Sequence, residues 1–289
     1  MVAQLLDGER VAGELRAEVK GRVAALRAQG ATVGLGAILV GDDPASARYV
    51  AMKRRDCEDV GIDSRLIHLP ATASQGEVLE AVRELNEDPA TSAFIVQLPL
   101  PAHLDAEAIL GAVDPTKDAD GLHPVNLGLL ALGRPQVVPC TPAGIVELLA
   151  RHGISLEGQH LVVIGRGLTI GRPLSILASL PAPGRNAAVS VVHSKVRDLA
   201  AIVRSADVVV SAAGRGGLVT AAMLRPGVVA VGAGTSFEGR RLVSDLADDV
   251  AEVASWVTPR IGGVGPMTRA MLLVNTLEAA ERRVGGQRA

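Results

Sequence analysis

One short segment carries side chains suited to proton chemistry. Ser46, Tyr49 and Lys53, in SARYVAMKRRD, stand at i, i+3 and i+7, so on a helix they share one face. A lysine beside an aromatic ring is an unusual choice for a core face. Arg48, Arg54 and Arg55 flank it in sequence. A lysine desolvated among cations reaches its neutral form and can act as a base. The same pattern also suits a solvated, charged helix face. Gln97 lies in the very apolar run FIVQLPLP. At the C-terminal end of a strand in an open α/β sheet it stands where ligands bind. Its amide must find partners: a lysine amine, a ligand ring, or backbone groups of the Pro-rich strand end.

Two further segments offer polar groups. Asp118 and Asp120 lie in DPTKDADGLHP. An Asp beside Gly is a turn device, and it can equally accept two hydrogen bonds from an amino-pyrimidine edge. The turn GRGLTIGRP has the spacing Gly165-x-Gly167-x-x-x-Gly171, one residue longer than the standard dinucleotide fingerprint. It follows an apolar run and opens a helix, so its backbone N–H groups can approach a phosphate. Such turns also join elements without a ligand. After the next apolar run comes His193-Ser194-Lys195, with no acid to grip a ribose 2′-hydroxyl. With Arg166, Ser194 and Lys195 available, this predicts a 2′-phosphate, hence NADP rather than NAD. Asp198 is placed to begin the following helix. Gly262-Gly263-Val264-Gly265-Pro266 permits close backbone approach or a hinge. Cys140 reads as a small buried residue, since no His is placed in sequence to activate it.

The elements that must hold these groups alternate between strand and helix. Val11, Leu15, Val19 and Leu26 space a first amphipathic helix, with Gly30 as its stop. Residues 36–40 and 65–69 read as strands around a helix over 46–60. Ser74-x-x-Glu77 is a capping box ahead of Val78, Val82 and Leu85. Residues 94–98 form the next strand and 105–113 a short helix. The rhythm breaks between Asp114 and Cys140, a Pro/Gly-rich stretch that reads as the joint between two domains. Thr141-Pro142 then starts a helix with Thr as N-cap. A second series follows: strands at 161–164, 188–192, 207–210 and 228–231, with helices from about Pro173 and at 198–205. A last helix begins at Met267. Such alternation implies a mostly parallel sheet covered on both faces.

Composition narrows the function. The 289 residues carry 29 Lys+Arg against 31 Asp+Glu, a net charge of −2. That balance gives no footprint for nucleic acid or a membrane surface. Four aromatics, Tyr49, Phe94, Phe237 and Trp256, are too few for base-stacking platforms. Two cysteines make neither a disulfide framework nor a zinc site, and the six histidines never fall at His-x-x-x-His spacing. No metal is expected. The first ten residues carry Asp7 and Glu9 and no long apolar run, unlike a signal peptide. These features point to a cytoplasmic protein.

Taken together, the segments resemble the bifunctional methylenetetrahydrofolate dehydrogenase/methenyltetrahydrofolate cyclohydrolase family over nearly the whole chain. The resemblance rests on YVAMK (49–53), VQLPLP (96–101), DADGLHPVNLG (118–128), PCTPAGI (139–145), VVIGRGLTIGRP (162–173) and GGVGPMT (262–268), in that order. It implies two α/β domains. Residues 1–139 would be the catalytic, folate-binding domain, completed by a C-terminal helix over 267–289. Residues 140–266 would be a Rossmann-type NADP-binding domain, with the active site in the cleft between the two. It also implies a homodimer paired through the second domain. The activity would be NADP-dependent oxidation of 5,10-methylenetetrahydrofolate to the methenyl cation, then hydrolysis to 10-formyltetrahydrofolate.

By the same resemblance Lys53 is the key residue for hydrolysis, Gln97 positions it, Tyr49 packs on the folate and Asp120 holds the pterin. Val96, Leu98, Ile261, Gly262, Gly263, Val264 and Gly265 would line the substrate. Gly165, Arg166, Gly167, Gly171, Ser194 and Ala233 would bind the cofactor. Three positions depart from the family pattern: Gly167 stands where Ser is usual, Ile261 where Pro is usual, and VVAVGAG (228–234) lacks the usual acid. A different two-domain dehydrogenase of shikimate type and a non-catalytic dinucleotide-binding regulator are the alternatives.

Overall fold

Seven consecutive buried residues, Gly34–Val40, form the middle strand of a three-stranded parallel sheet. Its neighbours are Asp63–Leu69 and Ala93–Val96. The strand is apolar throughout because both of its faces are covered. The computed structural model describes residues 3–239 and 241–286. The chain divides into two units. The first comprises residues 13–129, 135–140 and 269–286; the second, 3–12, 130–134 and 141–268.

In the first unit, helix Pro44–Val60 begins at Asp43, whose carboxylate accepts from the Ser46 N–H at 2.8 Å, and has Pro in its first turn. Gly61 ends it in the left-handed conformation at φ 80°. The next helix, Gln75–Glu87, carries the expected capping box. Ser74 Oγ accepts from the Glu77 N–H, and Glu77 returns a bond to the Ser74 N–H. Such a cap contributes about 1 kcal/mol. Its apolar stripe, Val78, Val82 and Leu85, buries against Ile38 and Phe94. The last helix, Val264–Gly286, supplies Leu272, Leu273 and Leu277 to a second core with Val19, Val50 and Cys57. The helix expected over 267–289 thus starts three residues earlier, and its end at 287–289 lies outside the described residues.

The second unit holds a six-stranded, all-parallel sheet. Its order is Ala188–Val192, His160–Ile164, Val208–Ser211, Val229–Gly232, Trp256–Val257, Gln4–Leu5. The first strand in sequence within this unit's central series, His160–Ile164, therefore lies between the second and the third. The strand order reverses there, which opens a crevice at the C-terminal ends. A separate hairpin pairs Thr235–Glu238 with Arg241–Ser244.

Several expectations need correction. Residues 3–12 belong with the six-stranded unit, not with residues 13–129, because Gln4–Leu5 pair with Trp256–Val257 and Leu6 is fully buried. The stretch 114–140 is no bare joint, since it carries the helix Pro124–Ala131 and lies mostly within the first unit. Its Gly128 and flanking Pro and Gly residues disguised that helix. Thr141 is not an N-cap, because the helix Cys140–Arg151 begins one residue before it. Among the described residues, no helix is long and apolar enough to cross a membrane, and no three His, Cys, Asp or Glu side chains gather to hold a metal.

Candidate functional site

Helix Pro44–Val60 buries Ser46, Lys53, Asp56 and Cys57 on the face that the sequence periodicity defines. Lys53 is only 7% exposed. Its Nζ donates to Gln97 Oε1 at 3.3 Å and lies 5.2 Å from the centroid of the Tyr49 ring. The Gln97 Nε2 donates to the Leu98 carbonyl at 2.7 Å, which fixes the amide so that its oxygen faces the lysine. The backbone N–H of Gln97 continues the sheet to Ile38 O at 2.9 Å. The half-buried Leu98 precedes a cis peptide bond to Pro99, and Val96 is buried in the strand. The strand tip thus presents an acceptor to the amine, while Tyr49 walls its side.

The arginines that flank Lys53 in sequence do not share its burial. Arg48, Arg54 and Arg55 are exposed, on the outer face of the helix. The half-buried Arg269 on the last helix pairs instead with Asp56, its guanidinium 3.3 Å from that carboxylate. Sequence reasoning missed this pair. Burial pushes the Tyr49 hydroxyl above its ordinary value, with Arg269 pulling the other way. Both thiols are pushed up by burial, that of Cys57 to about 12. Cys140 donates weakly to the Ala119 carbonyl at 3.3 Å. A native thiol titration at pH 8 is therefore expected to find no fast-reacting cysteine, against two after unfolding. A fast-labelling Cys140 would contradict its burial.

The loop after residue 117 separates the two aspartates. Asp118 is buried and accepts from the Gly121 and His123 N–H groups and from Asn126 Nδ2, at 3.0, 2.8 and 2.9 Å. It is the turn device. Asp120 is half-buried, and among the described residues its carboxylate takes no hydrogen bond. Burial raises its carboxyl above the usual range, and Lys53 opposes that. Gly121 follows at φ 74°, where a Cβ would lie 2.6 Å from the Pro139 nitrogen. Only glycine turns the chain there. Buried Asn275 clamps the loop from outside. Its Nδ2 donates to the carbonyls of Ala119 and Val138 at 2.9 and 3.0 Å. An Asn within the apolar run MLLVNTL was the available sign of it.

In the second unit, Gly165 to Gly171 joins the central strand to helix Gly171–Ser179 at the crevice. A Cβ on Gly165 would sit 2.5 Å from the Ala212 carbonyl oxygen, and one on Gly171 would collide with the Gly165 carbonyl. These glycines let the turn pack closely on its own backbone and on the strand-end loop at Ala212. Ile170, at the N-cap, supplies no side-chain bond to the helix amides. These features fit a pyrophosphate at the helix N-terminus. Arg166, Ser194 and Lys195 are exposed. Asp198 is engaged as a cap, accepting from the Ala201 N–H at 2.9 Å. Ala233, after the fourth strand of the series, donates to Ser211 O at 2.8 Å. Further along the same unit, Ile261 is 71% exposed. Gly262 accepts from the Glu9 N–H at 3.0 Å, Gly263 and Val264 are buried, and Gly265 is exposed.

Residues 6–120 match the tetrahydrofolate dehydrogenase/cyclohydrolase catalytic domain, and residues 139–284 match the NAD(P)-binding domain of the same family. The chain belongs to the tetrahydrofolate dehydrogenase/cyclohydrolase family. A bifunctional protein FolD of Syntrophotalea carbinolica is 53% identical over 98% of both chains. The crystal structure of the bifunctional FolD of Campylobacter jejuni is 40% identical. It superposes with a TM-score of 0.93 over 97% of this chain and 99% of that one. The Trypanosoma brucei FolD structure, a complex with NADP and an inhibitor, is 39% identical. Its TM-score is 0.93 over 98% of this chain and 99% of that one. The resemblance read from the motifs is therefore a family relationship, and neither alternative reading gains support.

Proposed function

We propose that the chain oxidises 5,10-methylenetetrahydrofolate with NADP and hydrolyses the resulting methenyl cation to 10-formyltetrahydrofolate. The carrying observation is a buried amine, Lys53, bonded to Gln97 beside the Tyr49 ring. NADP, when bound, supplies the hydride acceptor. Such a transfer needs alignment rather than an acid or base. Tyr49 stacks on the folate, and the open Asp120 carboxylate accepts from the amino-pyrimidine edge. A methenyl cation beside the amine disfavours a second positive charge there. The lysine then takes a proton from the attacking water. Gln97 holds the amine in place through that exchange. Val96 and Leu98 add to the substrate lining beside Gln97. The chain acts as a cytoplasmic homodimer with no nucleic-acid or membrane partner.

On the cofactor side, the Gly165–Gly171 turn holds the phosphates. Arg166, Ser194 and Lys195 take the 2′-phosphate, and Asp198, tied to its helix, leaves that position free of an opposing acid. Purified protein given methylenetetrahydrofolate and NADP is expected to form NADPH, with NAD a poorer acceptor. Failure to reduce either nucleotide would refute the reading. The open space around Gly167 gives a second prediction. A Cβ there meets nothing within 4 Å, so Gly167→Ser adds a hydroxyl donor beside the phosphates without strain. KM for NADP is expected to fall about threefold to tenfold, as for a hydrogen bond to a charged group less its ordering cost. An unchanged KM would place the phosphates elsewhere.

A further inference from the structure

The most heavily bonded carboxylate of the second unit is one that the proposed chemistry does not use. Asp245 is fully buried, just beyond the hairpin strand Arg241–Ser244. Its Oδ2 accepts from Ser211 Oγ at 2.8 Å and from the N–H groups of Ala213 and Gly214 at 2.7 and 3.2 Å. Its Oδ1 accepts from the Arg215 N–H at 2.7 Å. Three successive backbone amides converging on one anion form a nest, here filled by the chain's own carboxylate. Gly234 packs directly on it, since a Cβ there would collide with Oδ2. Gly234 and Ala233 also both donate to the Ser211 carbonyl, at 2.9 and 2.8 Å. One side chain therefore ties together the loops that follow the third and fourth strands of the series, at the C-terminal edge of the sheet.

The consequence follows from peptide geometry. In a trans peptide the carbonyl points opposite to the N–H it is joined to. With the amides of 213–215 turned inward, the carbonyls of Ala212, Ala213 and Gly214 turn away from Asp245. The Ala212 oxygen accordingly faces Gly165 of the phosphate turn. This loop has no amides left for phosphate, and it offers acceptors instead. A dinucleotide with its 2′-phosphate at Ser194 and Lys195, and its pyrophosphate at the Gly165 turn, continues across the sheet in strand order. Its far half then reaches the strand ends at Ser211 and Gly232. The donors on that half are ribose hydroxyls and the carboxamide NH2.

We propose that Asp245 is a positioning residue for the nicotinamide half of the cofactor. By holding the 212–216 and 233–234 loops it presents backbone carbonyls to the hydroxyl and amide donors of that half. This rests on the NADP reading above, and the test separates the two. Asp245→Asn keeps the shape but sets an NH2 against backbone N–H donors. Dissociation constants are measured for NADP and for adenosine 2′,5′-bisphosphate, which lacks the nicotinamide half. NADP is expected to bind about tenfold more weakly and its KM to rise alike. Binding of the bisphosphate and hydrolysis of methenyltetrahydrofolate, which needs no cofactor, stay at the wild-type level. Ser211→Ala removes one donor of four and is expected to raise KM for NADP about twofold to threefold, so it decides the case if Asp245→Asn fails to fold. NADP binding unchanged in both variants overturns the proposal, as does equal weakening of NADP and the bisphosphate. A wild-type protein that binds the bisphosphate but not NADP also overturns it. A wild-type protein that binds neither refutes the underlying NADP reading instead.

Discussion

Lys53→Met is expected to lower the hydrolysis of methenyltetrahydrofolate by about two to four orders of magnitude, the range for loss of a positioned general base. Methionine keeps the length and much of the packing volume. The helix face survives, while the amine is lost with its bond to Gln97 and its place over the Tyr49 ring. Hydride transfer asks nothing of that amine beyond alignment of the folate. NADPH formation should therefore persist within about tenfold of wild type. The split between the activities is the informative result. A misfolded variant would lose both, and a lysine serving only to anchor substrate would lower both together.

Asp120→Asn should act on folate affinity and on stability in opposite directions. A carboxylate accepts two hydrogen bonds from an amino-pyrimidine edge, whereas an amide sets one NH2 against a donor. Losing one charged hydrogen bond and leaving its partner unpaired predicts about a hundredfold drop in kcat/KM for both reactions. Stability follows from burial. The folded chain holds the Asp120 carboxyl above its usual range, chiefly through burial, with Lys53 opposing. The folded state thus binds that proton more tightly than the unfolded chain does. Its contribution is full below the ordinary carboxylate value and is lost as pH rises toward the raised one. At pH 8 the charged form weighs against folding, so Asp120→Asn should melt at or above the wild-type temperature. A clear drop in Tm would mean that attraction to Lys53 outweighs the burial cost.

What the sequence disclosed depended on how local the cause was. The Lys53 face was visible because helical spacing is set within two turns. The Ser74 box was visible because both partners lie three residues apart. Gln97 was placed by the end of its own strand. The groups that were missed act across long separations. Asn275 reaches Ala119 over 156 residues, and Asp245 reaches Ser211 over 34. No periodicity or spacing rule links such pairs. Arg269 lies 213 residues from Asp56 in sequence, and their closeness exists only once the last helix packs. The two-residue strands Gln4–Leu5 and Trp256–Val257 are too short to alternate, so the N-terminus was assigned to the wrong unit. Residue type and spacing alone did not separate Asp118 from Asp120; the fold shows which one the backbone already occupies.

A single-turnover trace of methylenetetrahydrofolate with NADP bears most directly on the role of Lys53, when followed at the NADPH and methenyl wavelengths for wild type and Lys53→Met side by side. In wild type the methenyl signal should rise with NADPH and then decay. In the variant it should climb to match NADPH mole for mole and then decline only at the rate seen without enzyme. Methenyl decay in Lys53→Met at the wild-type rate would show that the buried amine is not the group that turns water into a nucleophile.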